Sequence, residues 1–267
     1  MARSGKKTLI GIGLVSVVAV AGLVFSGKHL LAGVIWVTAC CAATLYSVGH
    51  IYRKLRGRIE RVGTQLAAES FAGSIIARES DLTLMPISNF SIKAVNLNVI
   101  LDVVRREQPE SIVELGSGMT TLQIAHLLKK SNRKAKFVSY ESDRDWLDLC
   151  QHYVDLNDLT DWVELRHAPL KQWDSERQWY DLESSLGDIE TVDFLIVDGP
   201  PRRVGHLARK PALNVFHGRM KKGSKVFLDD AGRPEEMATG EAWLREYSGL
   251  RCFHGHTVSG YKLFIFE

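Results

Sequence analysis

The chain has 267 residues, 45% of them hydrophobic and 24% charged, which allows one sizeable domain and an appendage. Its net charge of +3 is unevenly spread: no Asp or Glu precedes Glu60, while Arg3, Lys6, Lys7, Lys28, Arg53, Lys54, Arg56 and Arg58 all do. Removing those eight from 34 basic residues leaves 26 against 31 acidic ones, so the remainder is acidic and a basic face for nucleic acid is not indicated for the globular part.

Thr8 to Ser26 is uncharged and rich in Val, Leu, Ile, Ala and Gly, and Leu30 to Gly49 repeats the pattern with Trp36 and Tyr46 inside it. Each run is about 20 residues, long enough as a helix to span roughly 30 Å of hydrocarbon. Ser26-Gly27-Lys28-His29 suffices only for a tight hairpin. Basic residues before the first run and after the second place both chain ends in the cytoplasm by the positive-inside rule. The expectation is a two-pass membrane hairpin over residues 1–52, with the bilayer as partner. A rival is a cleaved signal peptide with Ala19-Val20-Ala21 before the cut, but a second apolar run follows at once. Cys40 and Cys41 lie in that second run, and Cys150 and Cys252 are far apart. With no C-x-x-C, neither a disulfide framework nor a zinc site is indicated.

Residues 53–85 read as an amphipathic helix and linker. Leu55, Ile59, Val62 and Leu66 are spaced four, three and four apart and form one apolar stripe. Such a stripe can lie on headgroups, pair with another copy of the chain to make a homo-oligomer, or pack on the following domain. Asp81 to Phe90 reads as an ordered loop and Ile92 to Glu107 as a helix with Val95, Val99, Ile100, Val103 and Val104 on its buried side.

Ser111 to Thr121, S-I-V-E-L-G-S-G-M-T-T, reads as a buried strand, a glycine turn and a helix start. That arrangement brings backbone N–H groups close to a nucleotide-like ligand. The next strand, Phe137 to Glu141, ends on a carboxylate that can accept hydrogen bonds from both hydroxyls of a ribose. The dinucleotide fingerprint G-x-G-x-x-G would need glycine where Thr121 stands, which argues against a nicotinamide-dependent oxidoreductase.

With V-E-L-G-S-G at Val113 to Gly118 and the carboxylate at Glu141, the chain resembles the class I S-adenosylmethionine-dependent methyltransferases from about Pro86 to Glu267. The resemblance implies an α/β fold: a doubly wound, mainly parallel seven-stranded sheet over residues 86–267, closed by a C-terminal antiparallel hairpin. It implies S-adenosylmethionine as cofactor, held by Glu114, Gly116, Ser117, Gly118, Thr120, Glu141, Ser142 and Asp198. Comparable enzymes hold the adenine edge where His167 and Ala168 stand, although many use a carboxylate there and this chain does not. In similar enzymes a segment upstream of the glycine motif closes over the methionine end, a role for Asn89 and Ser91.

The remaining elements follow in order. Asp143 to Leu156 reads as a helix, Trp162 to Arg166 as a strand, and Val192 to Val197 as an apolar central strand ending in Asp198-Gly199-Pro200-Pro201. Leu207 to Met220 reads as a helix, Lys225 to Leu228 as a strand ending in Asp229-Asp230, and Glu235 to Tyr247 as a helix. Leu250 to His256 and Tyr261 to Phe266 form the terminal hairpin. A plain dinucleotide-binding fold would not usually end this way.

Open α/β sheets bind ligands at the carboxyl ends of their strands, where Asp198, Asp229 and Asp230 converge. Three such carboxylates must be protonated, paired with arginine, or neutralised by a divalent ion. Catechol-type O-methyltransferases place magnesium at strand ends like these, so a metal set of Asp198, Asp229 and Asp230 is one reading; pairing of an aspartate with Arg233 is another. Asp198 and His206 are the candidate general bases, and Arg202 and Arg203 can hold an anionic group on an acceptor. Asp-Gly-Pro-Pro lacks the amide and aromatic of amino-group nucleic-acid methylases, so a nucleobase is not the expected substrate. The expectation is a membrane-anchored enzyme methylating the oxygen of a small molecule, saccharide or lipid-linked acceptor. A non-catalytic, membrane-tethered binding protein is the further alternative.

Overall fold

A computed structural model of the chain describes residues 30–79, 81–86, 91–183, 185–256 and 260–267. Leu30–Glu79 forms one uninterrupted helix, α1. No proline occurs before Pro86, so nothing in this stretch removes a rung of the i→i−4 ladder. Thr38, Thr44 and Ser47 donate their hydroxyls back to the carbonyls of Val34, Cys40 and Ala43, each at 2.8 Å. The expected break between a span ending at Gly49 and a separate amphipathic segment is therefore absent. The stripe residues Leu55, Ile59, Val62 and Leu66 are all exposed. No helix among the described residues is long and apolar enough to cross a membrane, so the structure lends the two-pass hairpin no support. The first expected span, Thr8 to Ser26, lies outside the described residues, as does Asn89.

The chain divides into two compact units, Met1–Thr64 and Gln65–Glu267. The second contains α2 (Ala94–Glu107), β1 (Ser111–Leu115), α3 (Met119–Lys130), β2 (Lys136–Glu141), α4 (Arg144–Leu156), β3 (Glu164–His167), β4 (Leu170–Gln172) and β5 (Gln178–Tyr180). Then come β6 (Phe194–Val197), α5 (Pro211–Phe216), β7 (Lys225–Leu228), α6 (Pro234–Glu246), β8 (Leu250–His256) and β9 (Tyr261–Phe266). Seven strands form one sheet in the order β3-β2-β1-β6-β7-β9-β8. The first five are parallel, and β9 runs antiparallel to both β7 and β8. This is the expected architecture, hairpin included.

Alternation along the strands builds two cores, one on each face. Val113, Leu115, Val138, Tyr140, Leu195 and Val197 face one cluster with Trp179, Phe216 and Trp243. Ile112, Phe137, Phe194, Ile196 and Phe227 face the other, against Ile100, Leu101 and Val104 of α2 and Leu122, Ile124 and Leu128 of α3. Every residue of β1, β6 and β7 is buried, as a parallel sheet covered on both sides requires. Each large apolar side chain removed from water there contributes about 1.5–3 kcal/mol.

Two departures matter for the site. The helix expected over Leu207 to Met220 is only Pro211–Phe216. Proline fits the first helical position, where its missing N–H costs nothing, but fits poorly further in, and residues 201–210 instead form turns with a single 3₁₀ segment at Arg202–Val204. The second departure is the antiparallel pair β4–β5, which sequence periodicity does not reveal.

Candidate active site

Register puts the motif residues in one row. Leu115 pairs with Tyr140 on one side and Val197 on the other, and Val197 pairs with Leu228. The next residue of each strand, namely Gly116, Glu141, Asp198 and Asp229, therefore lies at the same level of the sheet, at its carboxyl edge. These residues line a cavity of about 680 Å³, which also takes in Ser117, Gly118, Met119, Thr120, Ser142, Trp146, Tyr180, Arg202, Arg203, Arg209, Asp230 and Arg233. Ser91, Ile92 and Lys93 line it from the segment before α2.

The glycine turn is built for close approach. Gly116 has φ of +100°, a left-handed conformation that penalises any side chain. A Cβ there would sit 3.1 Å from the Gly199 nitrogen. At Gly199 itself a Cβ would strike the Tyr180 hydroxyl and come within 3.3 Å of the Leu115 carbonyl. These two glycines let the ends of β1 and β6 approach, with Gly199 N–H donating to the Leu115 carbonyl at 2.7 Å. Gly118 is different. Its backbone is extended and a Cβ would meet no protein atom within 4 Å, so its bare Cα keeps the cavity open.

Glu114, buried beneath the turn, acts as its brace. Thr121 Oγ1 donates to Glu114 Oε2 at 2.5 Å and accepts the Gly118 N–H at 2.8 Å; Ser139 Oγ donates to the same carboxylate oxygen at 2.6 Å. Burial raises the Glu114 carboxyl to about 7, with the Ser139 and Thr121 hydrogen bonds opposing the shift. Ser117 turns its hydroxyl to Ser139, 2.7 Å away, and its carbonyl accepts the Trp146 indole N–H at 2.8 Å. Glu114 does not itself line the cavity. The threonine whose identity broke the dinucleotide fingerprint thus ties the loop to the sheet.

Glu141 receives three donors on one oxygen, Oε1: the N–H groups of Ser142 at 2.6 Å and Asp143 at 2.8 Å, and the Ser142 hydroxyl at 3.1 Å. None of these falls on Oε2. Burial holds the carboxyl above its usual value, against the pull of those backbone donors. A carboxylate fixed through Oε1 and lining the cavity leaves Oε2 free to accept hydrogen bonds from the hydroxyls of a diol. Trp146 on α4 and Tyr180 on β5 give the cavity aromatic walls that the sequence reading did not identify. A large aromatic three residues after the N-cap Asp143 was the available signal for Trp146.

His167, Ala168 and His206 are absent from the cavity lining. His167 is exposed, with Nε2 at 3.2 Å from the Ser142 carbonyl, and buried Ala168 donates its N–H to the Glu141 carbonyl. His206 pairs through Nδ1 with Glu235 Oε2 at 2.9 Å, because the turn replacing the expected helix start directs it toward α6.

Asp198, Asp229 and Asp230 do converge, with one oxygen from each within 4.8 Å of the others. The surprise is Arg209, which is only 5% exposed. Its Nη1 donates to the Asp229 carbonyl at 3.0 Å and its Nη2 to the Asp198 carbonyl. Nη2 also lies 3.3 Å from Asp198 Oδ1 and 3.4 Å from Asp230 Oδ2. Arg233 holds Asp230 Oδ2 at 2.6 Å, the alternative pairing read from the sequence, and Asn96 donates to Asp229 Oδ1. Burial raises Asp198 well above the carboxylate range, the Asp229 charge adds to this and Arg209 opposes it. Asp229 is raised by burial and then by Asp230. Burial alone would lower Arg209, but the three carboxylates outweigh it and keep the guanidinium protonated.

Oxygen donors of this kind suit magnesium, which demands near-octahedral oxygens at about 2.0–2.1 Å. Here two of the three carboxylates already face a fixed guanidinium and the third is bonded by Asn96. The donor set does not fit a divalent ion with Arg209 in place.

No family model matches the chain, and no curated protein matches it. Among solved structures it is similar to the O-methyltransferase TomG from Streptomyces achromogenes, involved in tomaymycin synthesis and solved with S-adenosylmethionine. That likeness has a TM-score of 0.51 at 16% identity, covering 74% of this chain and 89% of the other. A Podospora anserina methyltransferase solved with S-adenosylhomocysteine gives 0.49 at 14% identity, over 75% and 88% of the two chains. An O-methyltransferase from Bacillus cereus, also with S-adenosylhomocysteine, gives 0.48 at 14%, over 75% and 91%. The strand order and the first of these likenesses establish the fold: residues of the second unit have the class I methyltransferase fold.

Proposed function

We propose that this chain is an S-adenosylmethionine-dependent methyltransferase acting on an oxygen of a small-molecule, saccharide or lipid-linked acceptor. One observation carries the reading: the open space over Gly118 and the braced carboxylate of Glu141 border a single cavity that Asp198 also lines. At about 680 Å³ its volume lies in the usual range for small-molecule sites. The O-methyltransferase TomG, which has this fold, was solved with S-adenosylmethionine.

The cofactor, when bound, supplies an electrophilic methyl on a sulfonium, so that a C–O bond forms as the S–C bond breaks and its electron pair stays on sulfur. The protein has to hold the partners in line and take a proton. Glu141 binds the ribose hydroxyls, and the Gly116–Gly118 turn lets the backbone approach. Asp198, set on the end of β6, accepts the acceptor's hydroxyl proton; a carboxylate raised by burial is a stronger base than an exposed one. Arg202 and Arg203 also line the cavity and are suited to an anionic group on the acceptor.

Attachment to a membrane is part of the proposal, and it rests on the uncharged run Thr8 to Ser26 and on the exposed apolar residues Val34, Val37, Leu45 and Val48 of α1. Calorimetry of the full-length chain with S-adenosylmethionine, S-adenosylhomocysteine and NAD tests the central reading. Micromolar binding of the first two, without NAD, is expected; binding of NAD alone would point to an oxidoreductase. Tritium transfer from labelled cofactor into membrane and glycan extracts then separates an enzyme from a binding protein.

A further inference from the structure

The acidic cluster at the strand ends is the feature that the proposed chemistry uses only in part. Asp198 serves as base, while Asp229, Asp230 and Arg209 have no role in it. Arg209 is held in an unusual manner for an ion-pair partner. Its planar fork is anchored by main-chain carbonyls, one at the end of β6 and one at the end of β7. Those anchors fix the guanidinium between two strands irrespective of how the carboxylates turn. Lysine, a single point donor on a flexible stem, could not bridge both carbonyls in a plane. From this position one nitrogen faces Asp198 and Asp230 together.

We propose that the Arg209 guanidinium is a built-in replacement for a divalent cation in this cluster, so that the protein neither binds nor needs one. An ion bound between Asp198 and Asp230 would lie beside a buried, permanently positive group that already faces one oxygen of each. Arg233 adds a second positive charge on Asp230. Arg209 and Arg233 offset the repulsion among three carboxylates that lie within reach of one another. Arg209 is a positioning residue in this account: it holds the Asp198 and Asp229 ends at a fixed separation. The statement about cations stands on the geometry alone, and its consequence for methyl transfer rests on the function proposed above.

Manganese binding to the full-length protein tests it, followed by electron paramagnetic resonance of free Mn²⁺ and by calorimetry with Mn²⁺ and Mg²⁺. Wild type is expected to show no site tighter than about 1 mM, and S-adenosylhomocysteine binding is expected to be unaffected by chelator. In Arg209→Met, which keeps the bulk and removes the charge, Mn²⁺ affinity is expected to rise at least tenfold. A wild-type Mn²⁺ site tighter than about 100 µM that Asp229→Asn abolishes would overturn the proposal. So would a folded Arg209→Met protein that still ignores Mn²⁺, since Arg209 would then not be what keeps the ion out. Should that variant not fold, the wild-type titration decides alone. Failure to bind S-adenosylhomocysteine would instead count against the methyltransferase reading and leave the manganese result interpretable.

Discussion

Glu141→Gln isolates the charge of the carboxylate proposed to bind the ribose diol from its role as a backbone anchor. The glutamine carbonyl can take the place of Oε1 and accept the Ser142 and Asp143 N–H groups, so the start of α4 stays held. The other oxygen becomes an NH₂ that cannot accept from ribose hydroxyls. Hydrogen bonds to a charged group are worth about 1.5–3 kcal/mol and neutral ones about 0.5–1.5. Losing the charge on a two-hydroxyl contact should thus cost about 1–3 kcal/mol, or roughly 5- to 150-fold in affinity for S-adenosylhomocysteine. Calorimetry on the full-length variant measures this, with thermal melting as the check that folding is intact. The pH dependence provides a second readout. Burial raises the Glu141 carboxyl, so wild-type affinity should weaken on acidification at a pH above the ordinary carboxylate range. The glutamine variant should lack that step. A folded variant with unchanged affinity, or with the wild-type pH profile, would refute the assignment of Glu141.

Gly118→Ala should fold with stability changed by less than about 0.5 kcal/mol, because its Cβ meets no protein atom, yet it should lose at least tenfold in cofactor affinity, measured by calorimetry. Thr121→Val removes the hydroxyl between Glu114 and the Gly118 N–H, leaving that N–H unpaired and Glu114 bonded by Ser139 alone, and should cost about 1–3 kcal/mol in urea unfolding. Glu114 makes stability fall as pH rises: its carboxyl titrates near 7 when folded against 4.5 unfolded, so the folded state binds the extra proton between those values. Wild type should lose roughly 3 kcal/mol relative to Glu114→Gln from below pH 4.5 to above pH 7, read from unfolding midpoints across that window. A reporter fused after Glu267 should be cytoplasmic and one inserted at Gly27 should lie across the membrane; release of residues 22–267 as an exported protein would establish the signal-peptide alternative.

What the sequence disclosed about this fold follows the physics of each element. Tyr261, Leu263, Phe264 and Phe266 are buried in β9, and a run so apolar beside a glycine turn reads as a strand without help from the rest of the chain. The buried β6 and β7 are equally plain, because a strand covered on both faces is apolar throughout. The pair β4–β5 was not legible: each strand has only three residues, too few for a period of two to stand out. It is this pair that brings Tyr180 to the cavity. Arg209 was hidden for another reason. Its partners lie 11, 20 and 21 residues away, at the ends of other strands, and no local pattern encodes such pairing. The one local hint was an arginine set among Leu207, Ala208, Ala212 and Leu213, where a charge must be either exposed or paired.

The placement of the site follows from strand register more than from any single motif. Gly116, Glu141, Asp198 and Asp229 are scattered over more than a hundred residues, yet each directly follows a residue paired across the sheet. Parallel strands joined by right-handed crossovers all point their carboxyl ends the same way, so residues that end successive strands must gather along one edge. The chain leaves β1 for β2 on one side and returns to β6 on the other, and that reversal opens a crevice in the middle of the edge. Gly116 and Gly199 stand on either side of it, and their missing side chains let the two strands remain bonded beneath the opening. On the β2 side the crevice carries a carboxylate anchored through backbone N–H groups. On the β6–β7 side it carries carboxylates balanced by a buried arginine. The first arrangement suits a neutral diol and the second a hydroxyl that must give up a proton, which is the division of labour that methyl transfer to oxygen requires.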